Sequence, residues 1–194
     1  NEAEGEQRIR NYAALAERLR AIDPDHVRAL REVGYANGNL CTQAVRALRE
    51  GTNPPAANQA YCATGLEAMR EVRRLRPQEQ QANVDLINRL SWSAEFEFLA
   101  GRAQTAFTLW NEALDEARQL VAKDPENRDS LDMLGTIHFS KGRSMVSVNQ
   151  READASLAEA EGIFRNLSQF DPSNERWRRL VGDIVSQRRQ IGSQ

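Results

Sequence analysis

The residues in this sequence that could best catalyse a reaction or bind a metal ion are two histidines and two cysteines. His26 lies in the first turn of a predicted helix and far in the sequence from His138. The sequence has no Gly-rich phosphate loop, no His-Glu-x-x-His motif and no Gly-x-Ser-x-Gly motif. Cys41 and Cys62 lack the nearby histidines that would complete a zinc ligand set. We therefore expect no enzyme, no cofactor and no metal ion.

Charged residues are numerous, but acidic and basic residues are nearly equal in number, which argues against a nucleic-acid partner. The 26 basic and 28 acidic residues leave a net charge of −2, without the basic face that nucleic-acid binding requires. Arg70, Arg73, Arg74 and Arg76 cluster at the end of a predicted helix. They either interact with the dipole at the helix C-terminus or bind an acidic partner or a phospholipid surface. We interpret most carboxylates as solvated, or as partners of an arginine four residues away.

The sequence shows no segment for membrane insertion. No stretch approaches the roughly 18 apolar residues of a spanning helix, and no signal-peptide pattern is present at the start. The chain begins at Asn1 without a methionine, so we expect a fragment of a longer protein. An upstream signal peptide or anchor stays open, and the compartment is predicted only as cytoplasmic or periplasmic.

Proline turns recur along the chain at nearly constant intervals. Pro24, Pro77, Pro125 and Pro172 are separated by 53, 48 and 47 residues, and three of them follow an aspartate. Each interval reads as two helices, because apolar residues recur three or four positions apart and strand-like alternation is absent. A period near fifty with two helices per unit is typical of an all-α solenoid. Such folds display a binding surface and rarely hold a catalytic centre.

The apolar periodicity and the turn residues predict eight helices. Their approximate ranges are 4–22, 26–49, a third ending at 75, 79–100, 103–122, 128–140, a seventh ending at 170, and 174–191. The stretch 144–156 fits a loop or a helix, and its alanines favour a long seventh helix. The first helix has one apolar face, formed by Ile9, Tyr12, Leu15, Leu19 and Ile22. The aromatic residues predicted to fill the core are Phe107, Trp110, Phe164 and Trp177.

One of these units resembles the tetratricopeptide repeat family. Leu131, Leu134, Gly135, His138 and Gly142 match the large residue, the Leu-Gly pair, the ring and the turn glycine of its first helix. The second helix supplies Ala160, Phe164, Leu167 and the closing Pro172, after an insertion of about thirteen residues. The two preceding units match less well, and the closing turns are similar to those of expanded repeats beside bacterial signalling domains.

The resemblance implies a right-handed superhelix of antiparallel helix pairs in a single domain over residues 1–194. Its units would span about 26–77, 78–125 and 126–172, with flanking helices at 4–22 and 174–192. Gly135 and Ala160 would allow two helices to approach closely, and His138 would fill a layer of the core. In this architecture the first helix of each pair lines a concave groove.

The same resemblance implies a set of groove residues that face a partner. These are Tyr35, Gly38, Thr42 and Val45, then Asn88, Ser91, Glu95 and Phe98, then Asp129, Asp132, Thr136 and Phe139. Phe98 and Phe139 would anchor an extended or helical peptide. The acidic members favour a partner with basic residues. The alternative is a solvated face with no ligand.

The two cysteines occupy positions at which the resemblance places contacts between paired helices. They lie symmetrically about the Gly51-Thr52 turn, so antiparallel helices joined there would bring them to the same height. Two interpretations stay open: a disulfide, or two buried thiols that serve as small apolar residues. A disulfide would indicate an oxidising compartment such as a periplasm.

Three classes of function remain. We favour a protein-interaction module within a larger bacterial signalling or assembly protein, by analogy at the level of the fold. A self-associating scaffold is the alternative, which apolar surface left exposed on the first or last helix would favour. A small-molecule sensor or enzyme would need a closed pocket with converging polar groups, and the sequence offers no such set.

Overall fold

The computed structural model describes residues 2–52 and 57–193, and every regular element within them is an α-helix. The helices are α1 (Glu2–Ile22), α2 (Val27–Arg49), α3 (Ala57–Leu75), α4 (Gln80–Leu99), α5 (Ala103–Lys123), α6 (Arg128–Met145), α7 (Gln150–Phe170) and α8 (Glu175–Gly192). These residues contain no strand. The all-α prediction is confirmed, whereas the solenoid arrangement of helix pairs stays a prediction.

Polar side chains cap the N-termini of four helices. The side chains of Asn127, Asn149 and Asn174 each accept a hydrogen bond, 3.0 to 3.2 Å long, from the backbone amide three residues later. His26 Nδ1 accepts in the same way from the Ala29 amide at 3.1 Å. Each cap provides an acceptor for an amide that has none within its own helix. The aspartate-proline turns therefore end one helix and are followed by the residue that caps the next.

Glycine ends α2 and α4 in a conformation that other residues rarely adopt. Gly51 and Gly101 have φ values of +76° and +80°. After α2, the Gly51 amide donates to the Leu48 carbonyl at 3.1 Å and the Thr52 amide donates to the Ala47 carbonyl at 2.9 Å. These two bonds satisfy carbonyls of the last turn, as in the Schellman motif.

The chain forms two compact units, Asn1–Ala113 and Leu114–Gln194, with the boundary inside α5. In the first unit, α2 packs against α1, α3 and α4. Helices α2 and α3 approach closely, since a Cβ at Gly65 would lie 3.1 Å from the Gly38 backbone nitrogen. Leu30, Val33 and Met69 are fully buried in this unit. The prediction of a single domain over 1–194 stays a prediction.

In the second unit, α7 packs against both α6 and α8. The core is formed by Leu157, Ala160, Phe164, Leu167 and Ile184, and the partly buried Leu131, Phe139 and Trp177 pack around it. A Cβ at Gly135 would lie 3.1 Å from the Phe164 ring, so the glycine brings the α6 backbone close to that ring. The predicted burial of Trp110 in the first unit and Phe164 in the second is confirmed, whereas Phe107 and Trp177 are only partly buried.

The junction between α6 and α7 differs from the prediction. We expected α6 to end near Ser140 and α7 to include residues 144–156, but α6 continues to Met145 and α7 begins at Gln150. Gly142 is not a turn residue, because it lies inside α6, where a Cβ would be only 2.8 Å from Leu157 Cγ. The break falls instead before Asn149, whose side chain caps α7.

The buried face of α1 also differs from the prediction. Among the described side chains of α1, Ala13 and Ala16 are buried, and the predicted Ile9 and Tyr12 pack beside Ala13. The other predicted residues, Leu15, Leu19 and Ile22, are 61%, 43% and 81% exposed. Alanine lets two helix backbones approach more closely than leucine does, and here the alanine face packs against the rest of the unit. Leu15, Leu19 and Ile22 are left in solvent.

Candidate partner-binding surface

A group of interacting polar side chains in the first unit lies where α2 meets α4. We call it the α2–α4 seam; its members are Arg31, Tyr35, Gly38 and Thr42 on α2 with Asp85, Asn88 and Arg89 on α4. The spacing of Arg31, Tyr35, Gly38 and Thr42 by three or four positions places them along one side of α2. Asp85 and Arg89 are related in the same way on α4.

Asp85 is the buried acceptor at the centre of the seam. The Tyr35 hydroxyl donates to its Oδ2 at 3.0 Å, and the Gln81 amide donates to its Oδ1 at 2.8 Å. Arg31 Nε lies 3.5 Å from the same carboxylate, while its Nη2 pairs with Glu79 at 2.5 Å. Burial, together with the hydrogen bond to Asp85, raises the pKa of Tyr35 to about 12. Tyr35 therefore stays a neutral donor at physiological pH.

Arg89 occupies the part of the seam where α2 has no side chain. A Cβ at Gly38 would overlap the Arg89 guanidinium, so any other residue there would force the Arg89 side chain to move. Arg89 Nη1 is buried and has no hydrogen-bond acceptor in the described part of the chain. Desolvation by burial lowers the pKa of Arg89, and the nearby Asp85 charge opposes that effect. Asp85 and Arg89 were absent from the groove predicted from the sequence, although their spacing of four residues on one helix could have indicated them.

The groove residues predicted for the first unit differ in exposure. Tyr35 is 38% exposed, Asn88 is exposed and Thr42 is half-buried. Gly38 and Val45, which we expected to face a partner, are buried in the contacts of α2. Ser91 is half-buried, and its hydroxyl donates to the Ile87 carbonyl of its own helix at 2.9 Å.

Glu95 differs most from its predicted role. We expected its carboxylate to orient a ligand, but it is only 8% exposed and pairs with Arg49 on α2, with Nη2 to Oε1 at 2.5 Å. The same guanidinium lies 5.7 Å from the centre of the Trp92 ring. Glu95 therefore contributes to the packing of α2 against α4.

The predicted anchors Phe98 and Phe139 are both half-buried. Phe98 packs against Phe107 and Trp110 of α5, with ring centroids 6.3 and 5.9 Å apart. In the second unit, Phe139 packs against the α6–α7–α8 core, and the Arg143 guanidinium lies 5.8 Å from its ring centre. Each ring thus combines a packed side with a solvent-accessible edge.

In the second unit, α8 contacts two of the predicted groove residues. Asp132 accepts hydrogen bonds from the Arg176 guanidinium and from the Trp177 indole, the latter at 2.6 Å. Arg176 also donates to the Thr136 hydroxyl at 3.1 Å. Asp129 is exposed. Asp132 and Thr136 therefore hold α8 against α6, and Asp129 is the predicted acidic residue left in solvent.

The histidines have structural environments. His26 caps α2, whereas His138 is 6% exposed on α6. Burial, together with the positive charges of Arg118 and Lys141, lowers the pKa of His138 to about 4. Among the described residues, no three His, Cys, Asp or Glu side chains are grouped as metal ligands would be.

A disulfide joins Cys41 of α2 to Cys62 of α3, with the two Cα atoms 4.8 Å apart. The sequence left open a disulfide or two buried thiols, and the structure has the disulfide. Both sulfur-bearing residues are buried, with Ala44, Val45 and Phe96 in the same apolar cluster.

Two open grooves lie on the second unit. One, of about 610 Å³, runs along α8 beside Val181, Val185 and Arg189. The other, of about 360 Å³, lies between α6 and α7 beside Leu131 and Gly162. Both are open to solvent rather than closed pockets. None of the helices in the described ranges combines the length and the apolar content that crossing a bilayer would require.

Comparison with known proteins gave no relative. A scan against protein-family models, a search of curated proteins and a search of solved structures each returned no match.

Proposed function

We propose that this chain is a protein-interaction module that binds a peptide or protein segment along the α2–α4 seam. The observation that carries the proposal is the composition of that seam. Two neighbouring helices present Tyr35 and Asn88 to solvent, and the same seam contains Arg89, a partly exposed arginine whose Nη1 has no hydrogen-bond acceptor in the described residues. Partly exposed aromatic and polar side chains on a rigid helical support are typical of peptide-binding surfaces. The proposed architecture is a tetratricopeptide-like solenoid, and the proposed role is non-catalytic.

The charge of the partner is less constrained than the sequence suggested. Arg49 engages Glu95, and α8 engages Asp132, so a basic partner is now supported mainly by the exposed Asp129. A buried disulfide favours an oxidising compartment such as a periplasm. We propose that compartment together with the interaction role.

Selection of binding peptides tests the proposal directly. The oxidised chain is immobilised, short random peptides are selected on it, and the enriched peptides are measured by fluorescence polarisation. We expect a Tyr35→Ala, Asn88→Ala double variant to bind at least about tenfold more weakly, because a few anchors hold most of the binding energy. The control variant is Gln119→Ala, at an exposed position of the second unit. Peptides that bind the double variant as tightly as the native chain would exclude the seam as the binding surface.

Self-association is a second candidate, favoured by α1. The exposed Leu15, Leu19 and Ile22 form an apolar strip on this helix. Three side chains are a small part of the about 800 Å² per partner that a standard interface buries, so we expect weak, concentration-dependent dimers. Analytical ultracentrifugation of the native chain and of Leu15→Glu, Leu19→Glu tests this. A sedimentation coefficient that is identical for both proteins at every concentration excludes the strip as a contact between copies.

A further inference from the structure

Arg89 is a partly buried cation that lacks a hydrogen-bond acceptor at one of its guanidinium nitrogens. Its guanidinium lies against the α2 backbone at Gly38, in the space that a Cβ at that position would take. Among the neighbouring charges, Arg31 pairs with Glu79 through Nη2, and Asp85 accepts from Tyr35. Arg31 Nε lies 3.5 Å from Asp85 and is likewise buried without a hydrogen-bond acceptor in the described residues. Arg89 Nη1 is left buried without an acceptor in the described residues. Most buried polar groups have a partner, so a group without one calls for an explanation.

Such an arrangement weakens the folded state of the free protein. A buried charge that lacks a hydrogen-bonded counter-ion costs stability, and an apolar side chain of similar volume often replaces it without loss. Places where a chain departs from this local rule are expected to be functional or strained sites. The seam also borders solvent, since Tyr35 and Asn88 beside Arg89 are exposed and Arg89 itself is half-buried.

We propose that the α2–α4 seam binds a carboxylate group of the partner, which pairs with the charge of the partly exposed Arg89 side chain. Guanidinium and carboxylate match in geometry and form charge-assisted hydrogen bonds. A singly charged anion fits better than a phosphate, because Arg31, Arg89, Glu79 and Asp85 together are neutral and the two carboxylates would repel a doubly charged ligand. The proposal rests on the interaction role proposed above and names the chemistry that the seam recognises.

The first test uses a small carboxylate and needs no identified partner. The melting temperature of the native chain is measured in sodium acetate and in sodium chloride at equal ionic strength. A ligand that binds only the folded state raises that temperature, so we expect acetate to stabilise the native chain more than it stabilises Arg89→Met. The matched control is Arg46→Met, which removes an exposed arginine from α2 and should respond to acetate as the native chain does. Equal responses of all three proteins would overturn the proposal.

The stability of Arg89→Met separates a binding role from a structural one. If the guanidinium is retained for a ligand, Arg89→Met melts in chloride at the same temperature as the native chain or higher. A melting temperature several degrees lower would show that Arg89 stabilises the packing of α2 against α4, and would overturn the proposal.

Peptides enriched on the seam then identify the source of the carboxylate. Each peptide is compared in three forms: with a free C-terminus, with an amidated C-terminus, and with its Asp and Glu changed to Asn and Gln. We expect one of the two neutralised forms, and the native peptide on Arg89→Met, to bind at least tenfold more weakly. Arg46→Met should bind within twofold of the native chain. Peptides that depend on Tyr35 and Asn88, but on neither Arg89 nor a carboxylate, would overturn this inference and leave the interaction module intact. Failure to enrich any peptide would count against the module, while the acetate measurement would still judge the role of Arg89.

Discussion

Acidification should destabilise the second unit through one buried histidine. His138 is enclosed in the unit and its pKa is lowered to about 4, first by burial and then by the charges of Arg118 and Lys141. In the unfolded chain an imidazole titrates near 6.5. Between these two pKa values the unfolded state binds a proton that the folded state does not. The stability is therefore complete above about pH 6.5 and is lost progressively as the pH falls towards 4.

The magnitude follows from the two pKa values. Between about pH 7 and pH 5.5, linkage predicts a loss of about 1.2 kcal/mol in the free energy of unfolding from this residue. The complete loss, reached well below pH 4, would be about 3.4 kcal/mol. The range between pH 7 and pH 5.5 is the useful one. Asp154 and Glu161, the two carboxylates that pair with Arg188, have lowered pKa values and titrate below this range.

Urea unfolding followed by far-ultraviolet circular dichroism measures this at the two pH values. The comparison variant is His138→Phe, which keeps a ring of similar volume and does not titrate. We expect the native chain to lose about 1 kcal/mol more than the variant between the two pH values. Equal losses in both proteins would refute the argument. So would a nuclear magnetic resonance titration of the folded chain in which the His138 ring protonates near pH 6.5.

Three further predictions concern packing and the groove. Reduction of the disulfide, or Cys41→Ala, should destabilise the first unit by about 3 kcal/mol, because the bond closes a loop of 21 residues; an unchanged urea midpoint would contradict this. Gly135→Leu and Ala160→Leu should each cost about 1–3 kcal/mol by overpacking, since Gly135 lies against a buried ring and Ala160 is fully buried; unchanged melting temperatures would show that the predicted repeat register is wrong. If Phe98 and Phe139 are anchors, their double alanine variant should weaken peptide binding while circular dichroism shows the fold intact, and unaffected binding would reject that role.

The helices were predictable because their ends depend on local chemistry. An asparagine cap acts on an amide three residues away, and a glycine with positive φ acts on the last turn of its own helix. Residues within one turn of each other carry this information, so the sequence locates most helix ends within a few residues. Gly142 is the exception, because its role is set by Leu157 on another helix.

The faces of the helices were harder to predict, because a periodic pattern does not identify the neighbour that covers it. On α1, the predicted Ile9 and Tyr12 do pack, beside Ala13, whereas Leu15, Leu19 and Ile22 from the same predicted face are left in solvent. The groove had the same difficulty. Gly38 was predicted to face a partner, but the Arg89 guanidinium of α4 occupies the space beside it. These outcomes depend on contacts between helices that are far apart in the sequence.

Arginine side chains explain why the predicted acidic groove is not acidic. Arg49 reaches Glu95 across 46 residues of sequence, and Arg176 reaches Asp132 across 44. In each case the carboxylate that the sequence offered to a partner holds a neighbouring helix in place. In each unit, the charge that we expected to attract a partner is therefore already paired, and charge alone would give the proposed partner little preference. Selectivity would then depend on shape and on the few donors that stay unused, and in the α2–α4 seam these belong to Arg31 and Arg89. The carboxylate proposed for the seam would complement these donors, whereas the basic group expected from the sequence would meet carboxylates that are already paired.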